Sequence, residues 1–413
     1  MDITVTGRAA ALFAALALYG LLSAPAPPEV RAVEAAIGAL LLAGSGWRRP
    51  CAVATGHALR APALPGWEAI GILSFAWLLW APLVRGLTLG WEPAAVLRDV
   101  VPLGYLFLPV LLVPLLRGGE GGSDRRAGRW LAAGLALAGV LFALRWWRHA
   151  EWGFGAVGVR AMADGLRYFL NAPSVLFAAV ALPMAALGLA ARGGWARWLA
   201  AAALLVPAAL CLGALAGAVH RMALGLALLG FLVSLPWWWR RAPLAVLGAL
   251  LLAGAGALLL GDTMAGALAQ VAEKNRLAGA NARLDEAAAV LEQVARSPAA
   301  FLFGDGWGAL IANPAVGGWR VAYTHTLVSY TLLKTGALGL MALAAYLAAL
   351  APSAWRLLRA DPPLAAAVLA PLAMALGAHT SFKYLDCGLL LTLMVMAAEK
   401  TRVTGRRNGL AAA

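Results

Sequence analysis

The sequence predicts an all-α polytopic membrane protein: about twelve transmembrane helices and one large extracytoplasmic loop that itself contains helix. Three observations predict it. The 413 residues are 62% hydrophobic and 13% charged, where soluble chains hold roughly half apolar and a quarter charged residues. Apolar runs of about 20 residues, the length that crosses a bilayer, recur along the chain. One hydrophilic island, Asp262 to Tyr323, interrupts them and gathers Lys274, Arg276, Arg283, Arg296 and Arg320.

The runs fall near 8–23, 32–46, 67–84, 100–116, 130–147, 172–191, 198–218, 222–238, 243–261, 324–350, 364–379 and 387–398. They are continuous rather than alternating, so they read as helices and not as barrel strands. The first follows Arg8 and reads as an uncleaved span rather than a signal peptide. Residues 1–261 then carry spans one to nine, 262–323 the loop, 324–398 spans ten to twelve, and 399–413 a tail.

Short basic loops orient the chain. One side holds Arg48, Arg49, Arg117, Arg125, Arg126, Arg129, Arg192, Arg197, Arg240, Arg241, Arg356, Arg359 and Lys400. That side reads as cytoplasmic, with both termini, and the chain as an inner-membrane protein with its site on the periplasmic face. The net charge of +14 does not indicate nucleic acid, because the cations are scattered between apolar runs. Cys51, Cys211 and Cys387 are too few for a disulfide framework.

Several cations break the orientation rule. Arg145, Arg148, Arg160, Arg167 and Arg221 fall on the outer side with the island, as do His149, His220, His325 and His379. A basic outer surface fits an anionic partner such as a phosphate, a diphosphate or an acidic glycan. Most of the span-end tryptophans (Trp67, Trp130, Trp146, Trp147, Trp237, Trp238, Trp239, Trp355) read as interfacial anchors. Trp307 and Trp319, inside the island, read as glycan contacts. Lys334 lies about 13 Å into span ten at 1.5 Å per residue, and an intramembrane cation is a candidate site residue.

The island should open with a helix over about 263–296, closed by Ser297-Pro298. Arg276 and Arg283, seven apart, share a face on it, and Asp285, Glu286 and Glu292 could pair with them. Phe301-Leu-Phe-Gly-Asp-Gly-Trp-Gly308 should form a tight turn with close backbone approach.

The order of elements carries more than any one of them. Asn281-Ala-Arg-Leu284 is followed by Ser297-Pro298, Phe303-Gly-Asp-Gly-Trp-Gly308, Tyr323-Thr-His-Thr-Leu327 and Leu333-Lys-Thr-Gly-Ala-Leu-Gly339. This order resembles the O-antigen ligase and polymerase superfamily of bacterial membrane glycosyltransferases. Arg221 at the start of span eight and Arg167 before Asn171-Ala-Pro173 are similar to two further elements of that family. The chain departs at Thr326, where the family has Asn or Ser, and at Ala287, where it often has an aromatic residue.

The resemblance implies transfer of a glycan from an undecaprenyl diphosphate donor to a sugar hydroxyl. The acceptor is lipid A–core in a ligase or a second carrier-linked glycan in a polymerase. It implies no metal and no cofactor. His325 becomes the candidate base, Arg283 and Arg221 the groups facing the departing diphosphate. Arg160, Arg167, Arg276, Trp307 and Lys334 are expected to contact diphosphate or glycan. A reading of another class, a lipid-linked glycan transporter, would need basic residues along a path through the spans.

Overall fold

The computed structural model describes residues 4–25, 31–62, 64–117, 125–149, 167–259, 281–377 and 379–410. They form an all-α membrane protein. The helices are α1 Val5–Leu22, α2 Ala32–Ser45, α3 Arg48–Ala54, α4 Gly66–Thr88, α5 Pro93–Leu106 and α6 Leu108–Leu112. Next come α7 Arg125–His149, α8 Arg167–Leu170, α9 Pro173–Ala190, α10 Trp195–Gly217, α11 Arg221–Arg241 and α12 Pro243–Leu259. The chain continues as α13 Asn281–Val294, α14 Pro298–Phe303, α15 Leu327–Ala360, α16 Pro362–Gly377 and α17 Leu385–Leu410. Among the described residues the strands are one antiparallel hairpin, β1 Ile311–Asn313 with β2 Trp319–Val321.

Seven helices are by themselves long and apolar enough to cross a membrane: α1, α4, α7, α9, α10, α11 and α15. An eighth candidate is the pair Pro93–Leu106 and Leu108–Leu116, bent by 62°. The bend has a covalent cause, because Pro102, Pro109 and Pro114 each remove a backbone donor from this stretch. The shorter apolar helices Ala32–Ser45, Pro243–Gly256 and Pro362–Gly377 occupy three further predicted runs.

The helices cross where small residues let backbones meet. α1 packs on α7 and α2, α9 on α7 and α10, and α16 on α9 and α11. α4 and α15 form the pair that carries the island. On the side away from the island, buried Glu68 receives Arg49 at 2.6 Å and Arg117 at 3.1 Å, and Arg117 also reaches Glu399 at 3.0 Å. Glu68 is the buried member of this cluster, and both arginines pair with it.

Three expectations change here. Trp146, Trp147 and Trp238 are buried rather than interfacial. The Trp147 indole donates to the Leu210 carbonyl at 2.9 Å, so this ring bridges helices. Arg145 is no free outer cation, since it donates to the carbonyls of Gly20 and Ser23 and lies over Phe169. The tenth run is not one straight helix either. Gly336 takes φ 65° and ψ −169° inside α15 and breaks it into two segments.

That break is where the island docks. A Cβ on Gly336 would collide with the Gly304 nitrogen, and one on Gly306 with the Gly86 nitrogen. Gly304, Gly306 and Gly308 all have positive φ. Backbone therefore packs on backbone, which only glycine permits at these angles. The turn hydrogen bonds into both helices: Asp305 N to Leu333 O at 2.9 Å, Gly306 N to Lys334 O at 3.0 Å and Trp307 N to Pro82 O at 3.0 Å.

The island helix is described from Asn281 to Val294; residues 263–280 of the expected helix lie outside the described residues. Ser297 and Pro298 do close it. The Ser297 hydroxyl then caps α14, accepting from Ala300 N at 3.1 Å. Pro298 at the first helical position has no amide hydrogen to leave unpaired.

Candidate functional site

α13 buries one stripe, Glu286, Val290 and Val294, at i, i+4 and i+8. Val290 packs with Ile311 of the hairpin and Leu333 of α15. The same stripe therefore sets Glu286 beneath the turn that leads into α15. His325 is in that turn, one residue before the cap, where Thr326 Oγ1 accepts from Ser329 N at 3.1 Å.

Glu286 and His325 bond twice. The His325 backbone N–H donates to Glu286 Oε1 at 2.7 Å, and His325 Nδ1 lies 2.7 Å from Oε2. Asn313 Nδ2, fully buried, donates to the same Oε2 at 2.7 Å. An ionised carboxylate only accepts, so Nδ1 carries a proton, and in the ring's neutral form the lone pair is on Nε2. The His325 side chain is 33% exposed while Glu286 is covered. Burial works against the Glu286 charge. The hydrogen bonds from His325 and Asn313 outweigh it and hold the carboxyl below its usual range.

Sequence reasoning missed this partnership and offered Glu286 to the arginines. The available signal was a carboxylate in register with Val290 and Val294 on one helix face. Arg283 is one turn before Glu286, exposed, and makes no ion pair among the described residues. Residues three apart on a helix are neighbours, which sets Arg283 one turn from the carboxylate that holds His325.

Behind His325, Tyr330 donates to Asp99 Oδ1 at 2.9 Å. Asp99 Oδ2 accepts from Gly308 N at 2.8 Å and from Lys334 Nζ at 2.5 Å, and Lys334 also donates to Ala309 O. Lys334 is fully buried. It is thus not a surface contact for substrate: it pins the glycine turn to α5 at the break in α15. Trp307, expected to meet glycan, is buried as well, its indole donating to Leu78 O at 3.0 Å. Both residues hold the glycine turn to its neighbouring helices. Trp319, by contrast, is exposed on β2.

Lys383, which the sequence sets with His379 and Asp386 in an outer loop read as an acceptor-side candidate, is a further cation here. It ends a single 3-10 turn, Thr380–Lys383, before α17, is half-buried, and lies 3.6 Å from the centre of the Tyr330 ring. No carboxylate pairs with it among the described residues. Burial pushes its ammonium down to about 7; Asp99 and Glu286 oppose this, Lys334 and Arg98 add to it. Tyr330 and Phe382 also line a small apolar crevice, with room for about one or two water molecules, between Leu103, Leu106 and Leu343.

Arg221 opens α11 half-buried. His220 caps this helix, with Nδ1 accepting from Ala223 N at 3.4 Å, and its ring is 6.0 Å from that of His379, just before the Lys383 turn. Val219 before it has φ 51°, a costly angle for a β-branched residue. Such strain concentrates at functional positions, at roughly 1–3 kcal/mol each. Among the described residues, however, no hydrogen bond or ion pair ties Arg221 to His325. Arg167 opens α8; Arg160 and Arg276 lie outside the described residues. Among the described residues no three His, Cys, Asp or Glu side chains gather as a metal set.

No family model matches the chain, and no curated protein matches it.

Proposed function

We propose that this chain is a membrane glycosyltransferase of the O-antigen ligase type. It moves a glycan from an undecaprenyl diphosphate carrier to a sugar hydroxyl of lipid A–core, needing neither metal nor nucleotide. The supporting observation is the Glu286–His325 pair: Nδ1 faces the buried carboxylate, the histidine side chain is 33% exposed, and exposed Arg283 lies one helical turn from Glu286. The acceptor O–H gives its proton to His325 Nε2, and its oxygen forms the new bond to the anomeric carbon. The bond from that carbon to the carrier phosphate breaks, and its electron pair leaves with the diphosphate. Glu286 stabilises the imidazolium so formed. Arg283, Lys383 and Arg221 are the cations suited to the departing charge.

The reading includes twelve spans, cytoplasmic termini and the island on the periplasmic side of an inner membrane. A polymerase would use the same donor chemistry with a second carrier-linked glycan as acceptor. The test is purified protein in vesicles with carrier-linked glycan, offered lipid A–core or a second carrier-linked glycan, with and without EDTA. A new glycosidic bond to lipid A–core, formed equally in EDTA, is the expected product. Bond formation only between carrier-linked glycans assigns the polymerase; movement of glycan across the vesicle with no new bond assigns a transporter and removes this reading.

Lys383 supplies a pH test. Its ammonium, not its amine, attracts a phosphate, so carrier affinity should be highest below about pH 7 and decline as pH rises beyond it. Lys383→Arg stays protonated and should flatten that decline. An unchanged pH profile in the variant would remove Lys383 from the site.

A further inference from the structure

The exposed half of α13 is divided in two. Leu284, Ala288, Leu291 and Ala295 are all exposed, and their 4-3-4 spacing sets them within roughly 60° of one another at 3.6 residues per turn. Asp285, Glu292 and Arg296 form a second exposed strip beside them. Glu286, Val290 and Val294 fill the remaining face, turned to the protein. Leu284 is 68% and Leu291 53% exposed, so the apolar strip is not a buried edge. The chain then runs through Ser297 into α14, where Phe301, Leu302 and Phe303 are 38–47% exposed.

The level of these residues identifies their partner. Gly304 O accepts from Arg85 Nε at 2.5 Å, and Trp307 bonds Pro82 O and Leu78 O. The turn after α14 thus runs alongside the last three turns of α4, a candidate membrane span. The Phe303 ring is 6.4 Å from that of Trp77, an exposed residue midway along α4. The apolar surface of α14 is therefore continuous with the lipid-facing surface of α4. Arg296, 65% exposed at the junction, lies 3.7 Å from Asp305 and donates to Gln293 O at 2.8 Å.

We propose that α13 and α14 form an interfacial helix pair whose exposed strip, Leu284, Ala288, Leu291, Ala295 and Phe301–Phe303, is immersed in the lipid leaflet on the island's side. A helix with one apolar and one charged exposed face lies in the headgroup boundary in this way. α13 would then be a wall with lipid on one side and Glu286 on the other. This inference stands apart from the glycosyltransferase reading, since it concerns the surface and not the reaction.

Single cysteines test it in full-length Cys51→Ser protein, because Cys211 and Cys387 are buried. Leu291→Cys, Leu302→Cys and, as the charged-strip control, Glu292→Cys carry an environment-sensitive fluorophore in phosphatidylcholine–phosphatidylglycerol vesicles. Doxyl-labelled lipid should quench the Leu291 and Leu302 probes at least twofold while aqueous iodide spares them, and the Glu292 probe should behave in the opposite sense. Iodide quenching at either strip position overturns the proposal. Protection of either from both quenchers overturns it too, because a protein segment or a second copy then covers the strip.

Discussion

Replacing His325 by alanine is expected to abolish glycan transfer while the protein still inserts and still binds the carrier. Loss of a general base costs about 10²–10⁴-fold. Glu286→Gln is the sharper companion. Its amide can donate towards Nδ1, which would move the ring proton to Nε2 and close the accepting site, and it withdraws the charge that stabilises the imidazolium. A fall in kcat within the same range is expected, with KM for the carrier little changed, because the arginines and Lys383 remain. His379→Ala is the control, and a smaller effect is expected there. Transfer near normal in well-expressed His325→Ala protein would remove His325 from catalysis. A Glu286→Gln protein that lost only thermal stability, with an unchanged pH profile, would leave Glu286 a purely structural residue.

The second large effect belongs to Lys334. Cutting one partner out of a buried ion pair costs about 3–5 kcal/mol, because the remaining charge stays unpaired away from water. Lys334→Met should therefore lower the melting temperature in detergent markedly, leaving Asp99 with only Tyr330 and Gly308 as donors. Asp99→Asn in the same chain should recover part of the loss, since no charge is then buried. The alternative, a substrate-binding Lys334, predicts intact stability and weakened carrier binding. That result would return Lys334 to the binding set.

Much of the site was legible because local rules wrote it. Gly304, Gly306 and Gly308 announced backbone at angles other residues avoid, and Ser297-Pro298 announced a helix end. His325 announced itself by standing at the border of a polar island and an apolar run. Glu286 was hidden among ordinary helix carboxylates, and Asp285 beside it has the same chemistry. Only its register with Val290 and Val294 turns it inward. Lys383 was legible only as part of an outer loop with His379 and Asp386, because its neighbours Tyr330 and Asp99 come from distant parts of the chain.

The sequence by itself determined the helical membrane architecture and the position of the one polar interruption. Those follow from composition and run length, because a backbone in lipid must satisfy its own hydrogen bonds. Tertiary structure decided which polar residues face solvent and which hold the fold. Lys334 and Trp307, plausible ligands in the sequence, lie under the glycine turn, because the break at Gly336 brings the turn's backbone against both helices. Glu286 became the partner of His325 because the α13 stripe packs on the hairpin and on Leu333. Charge and spacing are local properties; burial and pairing depend on contacts between segments far apart in the chain.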